Sequence, residues 1–576
     1  MKKIIIITAI AAAGVGAYFF NQQQNILPKA YNVLDYVPAD TPLFSAQLKP
    51  FPIKDYLTAT PNLSTAEDDA AFQNIAVQGD PQSDFFLSLA KTYHATSKDP
   101  DLFVKTFGLA DNIRAYFYTL GALPVLKIEV ENPQAIWELL DKAELESGYT
   151  HRIGKVQETE YRAYRLNSPT EKQKIELIFA QNNGILTVTL DSFLHQDTLL
   201  ATALGLQKAD KPISQTAILE EIANKHHFTD QNIAFLNHQE IVKGLTTING
   251  NQLARHLSLI FPEQTPENPL LSFRTPVCET ELTTIANNWP RTAFGYKNLN
   301  ITKNESTMDF STVIESKNQI IVNALQSLRG HIPQYAQDIK NNILALGFAV
   351  DANQLSTAAA TILTELQTPD YQCQPLQEMQ YSLQEGQNYL SMLSMASGMA
   401  NGLKGISFAV MDYSVSKNGD NQSLDSLDAL ISYSADNPTI LFNSLQMFIP
   451  ALQRIQLPVD GSAVDLSASD LLPYGLNIQP KIAVRGKHLV IYNGTKALQH
   501  ANSLSEEALS QNGLLTLSLD YKRMIEPLIA AAELSAEILP EEAIFLKNYN
   551  MRLKFDLDIN ESGIVFDSHA SNKVTE

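Results

Sequence analysis

The chain of 576 residues carries the same short pattern twice. Glu131-Asn132-Pro133 returns as Asp436-Asn437-Pro438, each after an apolar strand pattern and before an amphipathic helix pattern. Asn304-Glu305-Ser306 returns as Asn560-Glu561-Ser562, each between two alternating segments. A duplication constrains the fold more than composition does, because one supersecondary plan then serves twice and each copy buries its own core. The length points the same way, since 576 residues exceed what a single hydrophobic core accommodates. The expected fold is α+β: two pseudo-repeated α/β domains, with mainly antiparallel sheets flanked by helices, after an N-terminal membrane anchor.

The matched blocks run through both halves. Strand patterns at 113–118 and 125–130 correspond to 406–413 and 429–433, and each pair leads into an Asn-Pro step. Asn can cap free helix amides, and Pro at the first helical position lacks an amide that would be orphaned anyway. Helices are expected at 134–143 and 439–452. Strand 185–190 with a helix over 193–204 corresponds to 488–492 with 496–503. Strand 233–236 with a helix from His238 corresponds to 515–519 with a helix from Tyr521. Alternation such as Leu553-Lys554-Phe555-Asp556-Leu557 closes each half with a hairpin that has one apolar face. The expected boundaries are a first repeat at 37–317 with an insertion at about 262–290, a helical connector at 318–342, and a second repeat at 343–576.

At the N-terminus, Lys2 and Lys3 precede an uncharged run from Ile4 to Phe20, and the next charge is Lys29. A basic start, an apolar stretch and a polar exit make an export signal. Val15-Gly16-Ala17 offers a cleavage site, whereas Tyr18-Phe19-Phe20 suits an uncleaved anchor with rings at the outer interface. The expectation is a signal or anchor over 1–20, a linker over 21–36, and a periplasmic body on a single inner-membrane span. A soluble periplasmic protein after cleavage is the alternative. With a net charge of −20 and no dense Lys/Arg run, nucleic acid is excluded as a partner. The two cysteines, Cys278 and Cys373, read as one disulfide in an oxidising compartment, with two buried thiols as the alternative.

An anchor, a strand opened by Pro38-Ala39-Asp40-Thr41 and a duplicated α/β body resemble a family of uncharacterised bacterial envelope proteins, defined only as a domain of unknown function. The resemblance implies an envelope location. It implies no activity and supplies no functional residues.

No chemistry stands out in the sequence. The motifs GxxxxGK(S/T), HExxH and GxSxG do not occur. Ser414-Val415-Ser416-Lys417 matches SxxK at a strand end, without a following KTG. His226, His227 and Asp230 form the densest potential metal cluster, although adjacent side chains on a helix diverge by about 100°. The carboxylate-bearing stretch 418–428 reads as a surface turn. Met392, Met395 and Met399 form one helical stripe, open to three readings: core packing, an adaptable apolar groove, or Cu(I) ligation. No cofactor is expected. The leading functional expectation is a non-catalytic, membrane-anchored binding or scaffold protein that engages other envelope proteins. A binder of an apolar small molecule or lipid between the repeats, and an unrecognised envelope enzyme, are the alternatives.

Overall fold

The computed structural model describes residues 32–60, 79–167, 171, 173–195, 198–264, 268–384, 386–418, 421–466, 478–534 and 549–574. The expected anchor at 1–20, and the linker as far as residue 31, lie outside the described residues. Among the described residues no helix is long and apolar enough to cross a membrane. The fold is α+β with antiparallel sheet pairing, and it divides into one compact unit ending at Ser306 and another beginning at Thr307. The stretch 318–342 falls within the second unit.

The strands of the first unit are β1 (Leu43–Gln47), β2 (Ala115–Leu120), β3 (Leu123–Glu129), β4 (Arg152–Val156), β5 (Thr159–Arg165), β6 (Ile175–Asn182), β7 (Ile185–Ser192), β8 (Asn232–Asn237) and β9 (Arg291–Thr302). They pair antiparallel in the order β4-β5-β6-β7-β3-β2-β1-β8-β9. Helices Pro81–Ser97 and Pro133–Ser147 cover one face, where Phe85 packs with Ile136, Leu140, Leu177 and Leu186 and stacks on Tyr164 at 4.6 Å between ring centroids. Asp80 caps the first of these helices by accepting from the Ser83 amide. Asn132 makes no side-chain cap on the second. Its position is fixed by Gly108 instead, whose carbonyl accepts from the Glu131 and Asn132 amides. A Cβ on Gly108 would stand 2.1 Å from the Asn132 carbonyl oxygen, so only Gly permits that approach.

The second unit contains β10 (Glu305–Glu315, which begins just before the boundary), β11 (Leu344–Phe348), β12 (Leu403–Asn418), β13 (Asn421–Ala435), β14 (Val464–Asp465), β15 (Lys481–Arg485), β16 (His488–Asn493), β17 (Leu515–Asp520), β18 (Tyr549–Asn560) and β19 (Gly563–Val574). Their order is β14-β15-β16-β13-β12-β11-β17-β18-β19-β10. Here Asn437 does cap its helix, Pro438–Phe448, by accepting from the Thr439 and Ile440 amides. Gly402 accepts from the Asp436 amide. Within each sheet the residue three before the Asn-Pro step meets the first residue of a following strand: Glu129 lies opposite Ile185, and Ser434 opposite His488.

Two readings of the sequence need adjustment. The repeated Asn-Glu-Ser triplet does not occupy one structural position. Asn304 is a turn residue between β9 and β10, whereas Asn560 is the last residue of β18 and the turn is Glu561-Ser562. The stretch 418–428 is not a surface turn, because β12 runs to Asn418 and β13 resumes at Asn421. Its polar side chains satisfy one another across the ladder: Ser414 pairs with Ser426, and the Ser416 hydroxyl donates to Asp425. Ser414 therefore sits within a strand and not at its end.

Candidate functional site

In the second unit, the strands around β11 bury their small residues and expose their large ones. On β11, Ala345 and Gly347 are buried while Leu346 and Phe348 are exposed; on β17, Thr516 and Ser518 are buried while Leu517 is exposed. The cause is the chain at 329–337, which lies directly against the sheet. The Gly330 amide donates to the Ala349 and Gly513 carbonyls, and the His331 amide to the Lys404 carbonyl. The Tyr335 hydroxyl sits 3.0 Å from the Ser407 carbonyl and 2.8 Å from the Ser432 hydroxyl. Backbone at that depth leaves room only for Gly, Ala, Ser and Thr beneath it.

A buried polar cluster fastens this covering segment. His331 Nδ1 accepts from the Ser510 amide at 3.1 Å, and its Nε2 stands 3.4 Å from a Glu507 carboxylate oxygen. His488 Nε2 donates to the Glu507 carbonyl, and its Nδ1 pairs with the Ser434 hydroxyl at 2.9 Å. Burial, together with the neighbouring His331, holds the His488 imidazole below its ordinary pKa despite that carbonyl. Burial pushes Glu507 upward, but the His331 contact and the Gln334 amide outweigh it, so the carboxyl lies below the usual range. Both imidazoles are almost wholly enclosed, and no substrate reaches them unless 329–337 lifts. The arrangement holds structure together.

On the other side of the same strands lies a continuous apolar face. Directly paired residues share a face of a sheet, and the register sets Phe348 beside Ile406 and Leu515, and Leu346 beside Phe408 and Leu517. Leu517 then meets Phe555, and Leu557 meets Phe566. Leu346, Phe348, Ile406, Leu517, Phe555 and Phe566 are between 36% and 54% exposed. They present on the order of 500 Å² of apolar side chain, at the upper end of what a monomer shows and in the range where such patches are functional.

Met392, Met395 and Met399 are 61%, 61% and 44% exposed, so core packing is not their role. The helix Gly386–Met399 turns a different stripe inward, with Leu390, Leu393 and Ser397 half-buried. Neither cysteine is a free thiol; Cys278 and Cys373 are both disulfide-bonded and 1% exposed. His226, His227 and Asp230 do not converge. His226 is buried against the Phe228 ring, His227 takes the left-handed position that ends helix Ile218–His226, and Asp230 pairs with Lys49. Among the described residues no group of three or more His, Cys, Asp or Glu side chains is placed to hold a metal ion.

Sequence reasoning missed Lys127 in the first unit. It stands on β3 between Tyr116 and Thr187, is 0% exposed, and donates to the Thr187 hydroxyl at 2.9 Å. Complete burial pushes its amine down to about 7. A lysine at an alternating strand position ordinarily reads as solvent-facing, so nothing in the residue pattern marks it. A second unrecognised group joins helix Pro133–Ser147 to β5: Glu144 accepts from the Tyr164 hydroxyl at 2.6 Å and pairs with His151, while Arg162 lies over the Trp137 ring. No family model, curated protein or solved structure matches the chain.

Proposed function

We propose that the protein is a non-catalytic periplasmic binding or scaffold protein, tethered to the inner membrane by its N-terminal segment, whose second unit docks another envelope protein. The apolar sheet face carries this reading, because six large side chains left half-exposed on paired strands need a partner surface to remove them from water. The resemblance to an envelope family and the basic-apolar start of the chain support the location. A photoreactive residue placed at Phe348 or Leu517 in cells should capture a discrete envelope protein. The same residue at Leu145, 87% exposed on a helix of the first unit, should not. Equal capture at all three positions refutes the docking face.

The exposed thioethers favour a second reading, a binder of an apolar small molecule or lipid at the helix carrying Met392, Met395 and Met399. Native mass spectrometry of envelope-purified protein separates the two, since a retained lipid-sized adduct supports the second.

The reading includes a duplication, supported by two strand orders that agree element for element from β5 to β9 and from β14 to β18. It also includes one disulfide between Cys278 and Cys373. Such a bond closes a loop of about 94 residues, for which chain entropy allows roughly 4 to 5 kcal/mol. Intact mass before and after reduction checks the anchor and the bridge together. The expected protein retains residues 1–20, gains two hydrogens on reduction, and labels with a thiol reagent only after reductant. A mature chain beginning at Tyr18 removes the anchor, and labelling of unreduced, denatured protein removes the bridge.

A further inference from the structure

The second unit carries a helical layer whose charge is one-sided. Helices Ala352–Gln367, Gln374–Gln384 and Gly386–Met399 pack on one another. From Asn341 to Leu403 the sequence contains Asp351, Glu365, Asp370, Glu378 and Glu385 and no Lys, Arg or His at all. Asp351 pairs with Lys404 and Glu365 accepts from Asn318, while Asp370 and Glu378 stand on the exposed surface, Glu378 accepting from the Gln374 side chain one turn earlier. Alongside them Met379 and Tyr381 are exposed, as are Met392, Met395 and Met399 on the next helix.

We infer that this layer is the docking site for a cationic amphipathic helix belonging to a protein partner; the inference rests on the binding reading above. Unbranched thioethers adapt to varied apolar anchors spaced at i, i+3 and i+7, and the exposed carboxylates Asp370 and Glu378 attract Lys or Arg on the partner's polar face. An anionic lipid surface is the wrong charge for the same reason. The sheet face alone is smaller than the ~800 Å² per partner of a standard interface, so a second contact region on the same unit fits one extended partner.

The test uses the full chain and a designed 18-residue Lys/Leu amphipathic helix, a scrambled Lys/Leu peptide without a helical stripe, and a Glu/Leu counterpart. The amphipathic cationic peptide should bind roughly tenfold or more tightly than the other two, with affinity falling as salt screens the carboxylates. M392K/M395K changes two exposed side chains and should weaken binding by at least about tenfold while leaving the far-UV circular dichroism unchanged. Equal binding of amphipathic and scrambled peptides, an unaffected double variant, or preferential binding to anionic vesicles each overturns the inference. Capture at Phe348 reads out separately. If capture persists while the peptide arm fails, this inference falls alone; if both fail, the binding reading falls with it.

Discussion

Replacing Lys127 by Met should stabilise the first unit by roughly 4 kcal/mol near pH 7. The amine is wholly enclosed at the centre of β3, and its hydrogen bond to Thr187 compensates little of the lost hydration. Burial lowers its pKa from 10.5 to about 7, and every tenfold weakening of proton binding corresponds to about 1.4 kcal/mol. Between pH 7 and 10.5 the unfolded chain holds a proton that the folded chain has released, so wild-type stability rises with pH across that window. Below pH 7 both states are protonated and the full cost of burying the charge persists. Met has nearly the volume of Lys and no charge, so the gain should be largest at or below pH 7 and fade toward pH 10. The unpaired Thr187 hydroxyl takes back about 1 kcal/mol. Urea unfolding of both proteins at pH 6, 8 and 10 is the measurement. A difference that stays constant over that range means the amine is not buried in the folded protein.

How legible the fold was depended on whether local chemistry or distant packing decided each element. The Asn-Pro steps, the strands beside them and the closing hairpins were legible because caps, fixed proline φ and strict alternation act within a few residues. Even there, the two caps work differently, since Asn437 bonds the helix amides and Asn132 relies on Gly108. The strands from Arg152 to Asn182 were not read, because charged residues such as Arg152, Lys155 and Glu176 interrupt their apolar pattern. Arg152 and Lys174 both pair with Glu176, which is buried only because those cations accompany it. The long β12–β13 hairpin was hidden for a similar reason, as its outer half is Ser and Asp satisfied across the ladder. The candidate site was legible only in part. The methionine stripe could be seen, but a helix with two apolar stripes does not say which one is buried. The exposed sheet face could not be seen, because Leu346, Phe348 and Leu517 read as ordinary core residues until 329–337 is known to occupy the opposite side.

That occupation rests on one glycine. Gly330→Ala should destabilise the second unit by more than about 3 kcal/mol, at the severe end of single substitutions. A Cβ there would stand 1.9 Å from the Lys404 carbonyl oxygen and 2.7 Å from the Val350 amide nitrogen. Both are backbone atoms in the sheet region, so no flexible side chain can yield and the segment itself must move outward. That displacement breaks the His331 amide bond to Lys404, draws the Tyr335 hydroxyl away from Ser407 and Ser432, and pulls His331 from Ser510. Buried hydroxyls and a carboxylate would then face apolar surroundings without partners, which costs more than the lost bonds alone. Gly398→Ala is the matched control. A Cβ at Gly398, inside helix Gly386–Met399, meets nothing within 4 Å, and Ala there should stabilise the helix by about 0.5 to 1 kcal/mol. Denaturant unfolding gives both values, and amide hydrogen exchange across 329–337 localises the first. If Gly330→Ala exchanges and unfolds like the parent, the segment does not lie against the sheet, and the large side chains on its other face need not be exposed to a partner at all.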